Sequence, residues 1–336
     1  MKDVFAPVLS DADVKRLDRV GKRRGRRRPA KVPARLARTS AFAAKRRGLI
    51  TDSGFERLYR VPGHSLVRVS GRELGTQHRD ALYAVFRLPF EKVTVRQEQK
   101  SGLQAYVSLM QVNTTWRELL IAMGLTQHVN NVAALHFAFK DIKQVVITVY
   151  EGNEERNLEL YQMNKLPRDH GRMGNLLQDI EWSGLGLDDQ VRISYGDWTA
   201  SMVVSAKLVS LNADVQFELT SDYAKSFWPY IDSMTEHSWV DEEMLAHLIG
   251  RDLWGQGETS HSRGEFRKLC RKAFDDMKRA GGLSEWHVEV RGAGRKKQHR
   301  YHHGHKLREE NAQMELPMLA NAMEPVGAPK KKAFGR

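Results

Sequence analysis

A single cysteine, Cys270, stands among 336 residues. One thiol excludes an intrachain disulfide and fits a reducing compartment. No run approaches the roughly 18 consecutive apolar residues that a membrane-crossing helix needs. The opening residues, MKDVFAPVLSDADVKRL, lack the apolar block of a secretory leader, so a cytoplasmic location is expected. Paired acidic motifs and nucleophile–base arrangements are missing as well. GAGRKK at 292–297 lacks the Gly-Lys-Ser/Thr ending and the following helix of a phosphate loop. No cofactor and no metal site is expected, and the chain reads as a binder rather than an enzyme.

Positive charge is abundant and unevenly placed. The net charge is +13, and residues 1–60 hold 18 Lys and Arg against 6 Asp and Glu. Residues 259–308 hold 14 against 5, while residues 61–216 come to about −1. Two basic blocks flanking a neutral body suit a polyanion partner better than general solubility.

Texture divides the chain into five parts. Residues 1–57 form a basic arm without apolar periodicity, expected to be disordered alone. Residues 58–165 then carry alternating SLVRVSG, a strand, and GTQHRDALYAVFRL, a helix capped at Thr76. TTWRELLIAMG follows, with Thr114 or Thr115 as cap, a Trp116, Leu119, Leu120, Met123 stripe and Gly124 as stop. After a tight turn, QHVNNVAALHFAFKDI repeats the pattern with Val132, Leu135, Phe139 and Ile142. QVVITVYEGNEERNLELYQMN reads as a β-hairpin turning at 151–155. Helix, turn, helix, hairpin is the order of a winged helix-turn-helix.

Residues 166–215 read as a connection with extra strands. In residues 216–308 the grammar recurs. DYAKSFWPYIDSMTEH gives a helix with Pro229 inside, and VDEEMLAHLIGRD gives a second. SHSRGEFRKLCRKAFDDMKRAGG has Phe266, Leu269, Cys270, Ala273, Phe274 and Met277 in one stripe, and WHVEVRGAGRKKQHRYHH supplies a hairpin. Residues 309–336 read as a disordered tail. The expected fold class is therefore α+β: tandem winged-helix domains between a disordered arm and a disordered tail.

Candidate DNA contacts follow from this arrangement. Off the apolar stripe of the last long helix stand Arg263, Arg267, Lys268, Arg271, Lys272 and Lys278, suited to guanine edges and phosphates in a major groove. The second wing adds Arg291, Arg295, Lys296, Lys297, His299 and Arg300. In the first module Gln127, His128, Asn130 and Asn131 place amides where adenine could pair, with Lys140 and Lys143 near phosphates. Arg26, Arg27 and Arg28 in KRRGRRRPAK would add salt-sensitive attraction without sequence preference.

The two segments SLVRVSGRELGTQHRDALYAVFRL and NTTWRELLIAMGLTQHVNNVAALHFAFKDIKQVVITVY resemble the first module of iteron-binding plasmid replication initiators. FELTSDYAKSFWPYIDSMTEHSWVDEEMLAHLIGRDLW with GEFRKLCRKAFDDMKRAGGLSEWHVEV resembles their second module. The resemblance spans roughly residues 58–305. It implies binding to direct repeats of double-stranded DNA at an origin, opening of adjacent AT-rich DNA and recruitment of host helicase or its loader. A homodimer is a further expectation.

A winged-helix transcriptional regulator shares the same DNA-binding features. YHHGH, Tyr301–His305, resembles the tyrosine and histidines of rolling-circle (HUH-type) nicking enzymes. Gly304 breaks that pattern, and histidines ending a basic wing are expected instead. In the tail, Gln313, Met314, Leu316 and Met318 of QMELPML resemble the glutamine-led peptides that dock on the bacterial sliding clamp.

Overall fold

The structure, a computed structural model, describes residues 29–38, 41–61, 65–98, 104–165, 170–205, 208–234, 238–251, 253, 259–292 and 297–305. Arg26, Arg27, Arg28, Arg295, Lys296 and the tail residues Gln313, Met314, Leu316 and Met318 lie outside the described residues. The fold is α+β, with helices and antiparallel strands interleaved along the chain.

The chain begins with strand β1 (Ala30–Pro33) and one helical turn, α1 (Ala34–Ala37). Strands β2 (Phe55–Val61) and β3 (Ser65–Gly71) pair antiparallel. Helix α2 (Thr76–Arg87) starts after Gly75, whose N–H donates to His78 Nδ1 at 2.9 Å, rather than at a Thr76 cap. Nearly every side chain of α2 is buried, because other elements cover it on several sides.

A hairpin of β4 (Glu91–Glu98) and β5 (Gln104–Thr115) leads into α3 (Trp116–Ala122). Thr115 caps α3 by accepting from the Glu118 N–H at 3.2 Å. Gly124 ends the turn after it at φ 68°, backbone that glycine adopts without a Cβ penalty. Helix α4 (Val129–Lys143) then buries Val132, Leu135, Phe139 and Ile142, the expected stripe.

The wing departs from expectation. After β6 (Val146–Glu151) the chain does not turn straight back. Asn153 caps a helix, α5 (Glu154–Gln162), by accepting from the Arg156 N–H, and only then does β7 (Gly171–Asn175) return to pair with β6. EERNLELYQ is rich in good helix formers, and that propensity overrides the apparent turn.

Strands β8 (Leu177–Trp182) and β9 (Gln190–Tyr195) extend the β5 sheet in the order β4-β5-β9-β8, and β2-β3-β6-β7 make the second sheet. Residues beyond 166, expected to be a connection, thus contribute strands to the first module. Leu176, Leu177, Val191, Ile193 and Tyr195 belong to the first core. The stretch read as strands is partly helix α6 (Asp197–Ser205), followed by β10 (Leu208–Leu211).

β10 pairs with β1, so the arm is folded from Ala30 onward. Ala30, Val32, Leu36, Ala37, Ala41 and Phe42 are buried in the first core, apolar residues that the surrounding arginines mask in the sequence.

The second module comprises α7 (Ala213–Glu218), α8 (Asp222–Ser233), β11 (Trp239–Asp241), α9 (Glu242–Leu248), α10 (Ser260–Arg279), β12 (Leu283–Arg291) and β13 (Gln298–His305). Its sheet runs β11-β13-β12, a winged helix in element order. Phe266, Cys270, Ala273, Phe274 and Met277 of α10 fill a separate core. Burial pushes the Cys270 thiol far up, so it stays protonated and acts as an apolar side chain.

Between the two cores runs a buried polar network. Lys225 Nζ of α8 donates to Asp80 Oδ2 of α2 at 2.5 Å and to the Gln216 carbonyl at 3.0 Å. Gln216 Nε2 donates to Asp80 Oδ1 at 3.0 Å, and Arg79 Nη1 to the Lys225 carbonyl at 2.7 Å. Outside it, Thr76 Oγ1 and Arg46 Nε both donate to Asp222 Oδ1, at 2.6 and 2.9 Å. Gly250, at φ 72°, comes so close to Tyr59 that a Cβ would sit 2.7 Å from its ring.

Within the second module, Asp276 of α10 holds the start of α8. Burial pushes its carboxyl up, but N–H donation from Ser221 and Thr220 and the Arg279 guanidinium together hold it below the ordinary carboxylate value.

Two outcomes are expected. Asp80→Ala strands Lys225 in the interior and lowers stability by about 3–5 kcal/mol. An unchanged urea midpoint would show that the pair is dispensable. Because the folded value of Asp276 is depressed, its contribution is full above the unfolded pKa and is lost as pH falls through the folded one. The gap in urea midpoint between wild type and Asp276→Asn should therefore shrink as pH falls below about 4.

Candidate nucleic-acid interface

Helix α10 follows α9 in the chain and precedes the paired strands β12 and β13. Thr259 caps its start, accepting from the Ser262 N–H at 3.1 Å. Arg251 supports this end by donating to the Ser262 carbonyl and hydroxyl and lying 5.1 Å over the Phe266 ring. With its apolar stripe buried, the opposite side is open. Gly264, Lys268, Arg271, Lys272, Asp275 and Lys278 are exposed on it, at the 3- and 4-residue spacing of one helix face.

The structure separates the sequence-predicted arginines into two groups. Lys268 keeps 63% of its side chain exposed and meets Glu265 at 3.7 Å, a weak pair. Arg271 and Lys272 are exposed beside it, and Lys278 is exposed in the last turn.

Arg267 is different. Its guanidinium grips Glu242 in two hydrogen bonds, 2.7 and 2.8 Å, and donates to the Lys297 carbonyl at 2.9 Å. Glu242 is 2% exposed, so this pair locks α10 to the start of α9 and to the wing. Arg263 turns partly inward and donates to the Leu253 carbonyl at 3.4 Å. In the wing, Arg300 is committed to Asp241 at 2.7 and 3.1 Å and lies 3.5 Å over the Trp239 ring. Arg267 and Arg300 therefore act as braces of the module. Lys297 is exposed, Arg291 is paired with Glu289 at 3.0 Å, and His299 is buried.

Glu242 and Asp241 are what the sequence reading missed. The signal is present in VDEEML, where acidic residues stand between the buried Val240 and the buried Leu245.

The amides of the first module divide in the same way. Gln127 accepts from Arg117 Nη1 at 2.5 Å, and Arg117 also grips Asp188 at 2.6 and 2.8 Å. Asn131 donates to the Thr126 carbonyl and hydroxyl at 2.8 and 3.0 Å. His128 caps α4 through Nδ1, accepting from the Asn130 N–H. These three shape the turn, and the Asn130 side chain is left exposed. Lys140 is exposed, and Lys143 pairs with Asp179 at 2.9 Å.

Tyr301 and the histidines beside it are structural. Tyr301 is fully buried, stacked 4.9 Å from Phe274, and burial pushes its hydroxyl pKa well up. His303 and His305 are buried too, and His305 Nε2 meets Asp232 Oδ1 at 2.7 Å. A hydroxyl sealed in a core cannot attack a DNA phosphate. Among the described residues no helix is long and apolar enough to cross a membrane.

No family model matches the chain, and no curated protein does. Solved structures do. The crystal structure of domains 2–3 of RctB is 10% identical with TM-score 0.47, covering 83% of this chain and 99% of that one. A selenomethionine derivative of the same two RctB domains is 9% identical with TM-score 0.47, covering 81% and 98%. The Pi initiator protein in complex with iteron DNA is 11% identical with TM-score 0.40, covering 68% and 90%. Identities and scores this low leave the functional reading to the chain's own residues.

Arg267→Ala should lower stability by roughly 3 kcal/mol, since it strands the buried Glu242 carboxylate, whereas Arg271→Ala should leave the unfolding midpoint unchanged. Equal midpoints for the two variants would reverse the assignment.

Proposed function

We propose that the protein is a non-enzymatic, sequence-specific double-stranded DNA-binding replication initiator, acting on direct repeats at a plasmid origin. The observation that carries this reading is the face of α10. Its back is packed, its start is capped, its position is rigidly braced by Arg267 and Glu242, and its front presents Lys268, Arg271 and Lys272 to solvent. A rigid cationic helix of this kind fits a major groove, and Arg271 can reach a guanine edge while the lysines meet phosphates. Lys297 adds a phosphate contact from the wing.

The second winged helix, on the first core, supports a bipartite site in place of a single half-site. Opening of an adjacent AT-rich segment and recruitment of host replication proteins complete the proposal, with Gln313, Met314, Leu316 and Met318 as the docking peptide for the sliding clamp.

Footprinting on DNA flanking the gene should show protected tandem repeats spaced by about two helical turns, and the gene in trans should maintain a plasmid bearing them. Protection without maintenance would favour a transcriptional regulator; no protection would sink both. In binding titrations, the triple variant Lys268→Ala, Arg271→Ala, Lys272→Ala should fold normally. Its slope of log K against log salt should be shallower by about 0.9 for each phosphate that these side chains neutralise in the wild type.

A further inference from the structure

Helix α4 occupies in the first module the place of α10 in the second, yet its open face has a different chemistry. Asn130, Ala133, Ala134, Phe137 and Lys140 follow one another at helical spacing, opposite the buried Val132, Leu135, Phe139 and Ile142. Phe137 is 60% exposed, and Val129 at the start of the helix is 55% exposed. A phenylalanine on that face contributes nothing to the core. Beside it, His136 stands edge-on to Trp182 at 4.7 Å and to Phe137 at 5.8 Å, an aromatic flank that limits the directions in which the helix face can be approached.

We infer that α4 reads A·T base pairs in a major groove, taking thymine C5-methyl groups against Phe137 and Ala134 and an adenine edge against the Asn130 amide. Thymine is the base that presents an apolar group in the major groove, and an asparagine amide matches the paired donor and acceptor of adenine. The two alanines keep the helix surface low, so bases can come close, while Phe137 projects beyond them. Lys140, exposed at the end of the stripe, marks where a phosphate would lie. The same turn ties up Gln127 and Asn131, which leaves Asn130 as the amide that can face a base.

The two reading helices then divide one duplex site by composition. α10 takes a part rich in guanine or in phosphate contact, and α4 takes an A·T part. This inference rests on the DNA-binding reading above and adds which bases each module prefers.

The test uses the full chain and duplexes selected from a random pool. Enriched duplexes should contain two separable parts, one of them A·T-rich. Replacing thymine by deoxyuracil throughout the A·T part removes only the methyl groups, and wild type should bind about 4-fold more weakly for each methyl that it touches. Phe137→Ala should narrow the gap between the thymine and uracil duplexes, keeping only the part that Ala134 carries. Arg271→Ala should bind both more weakly while keeping the difference between them. Phe137 is mostly exposed, so an unchanged thermal midpoint for Phe137→Ala is expected and confirms its fold.

Wild type indifferent to uracil, or Phe137→Ala that retains the whole difference, would overturn the inference and leave DNA binding standing. A Phe137→Ala chain that changes its sedimentation but not its DNA affinity would instead make this face a contact between protein copies. No enriched duplex at all would overturn the DNA-binding reading itself.

Discussion

The buried pair of Lys225 and Asp80 is the constraint on which the arrangement of the two modules depends. A lysine ammonium that is 4% exposed cannot stay charged in an interior without a carboxylate and further acceptors. Here Asp80 and the Gln216 carbonyl supply them, while Gln216 in turn donates to Asp80. Asp80 sits on α2 and Lys225 on α8, so satisfying the charge fixes one helix against the other. Everything hung on those helices, including both helix-turn-helix units, inherits that placement. Apolar contact alone would allow sliding. A hydrogen-bonded ion pair gives one register.

A similar logic operates inside the second module at smaller scale. Arg267 and Glu242 fix α10 to α9, Arg300 and Asp241 fix β13 to β11, and Asp276 fixes the far end of α10 to the start of α8. Two acidic residues thus hold the helix that carries the cationic front, and a third holds the sheet beside it. The net positive charge of the module obscures how far its form depends on its few carboxylates.

Much of the architecture is legible because helices advertise their buried sides. The stripes on α4 and α10 stand out residue by residue, since 3.6-residue periodicity is a local property. What stays hidden depends on distant partners or competing local signals. Arg267 and Arg271 both lie off the apolar stripe. What distinguishes them is Glu242, 25 residues before Arg267, which no periodicity reveals. The helix within the first wing is masked by EGNEE, which looks like a turn and is also an asparagine cap. Strand β1 is masked by its arginine-rich neighbours, although Val32 and Leu36 sit at the bottom of the core. On the open face of α4, Phe137 falls outside the buried stripe, and apolar character alone does not tell that it points to solvent.

The close approach of Gly250 to Tyr59 carries a consequence of its own. With no room even for a methyl group there, and with the buried Lys225–Asp80 pair bridging the same two modules, the joint is built as a latch rather than a hinge. A two-headed reader built on a latch works like a caliper with a locked jaw. On the DNA-binding function proposed above, it would accept two half-sites at one separation and one angular phase around the double helix. Adding or removing a few base pairs between them rotates one half-site out of reach while leaving both sequences intact. On that reading spacing becomes part of what is recognised, encoded by residues at the joint between the modules.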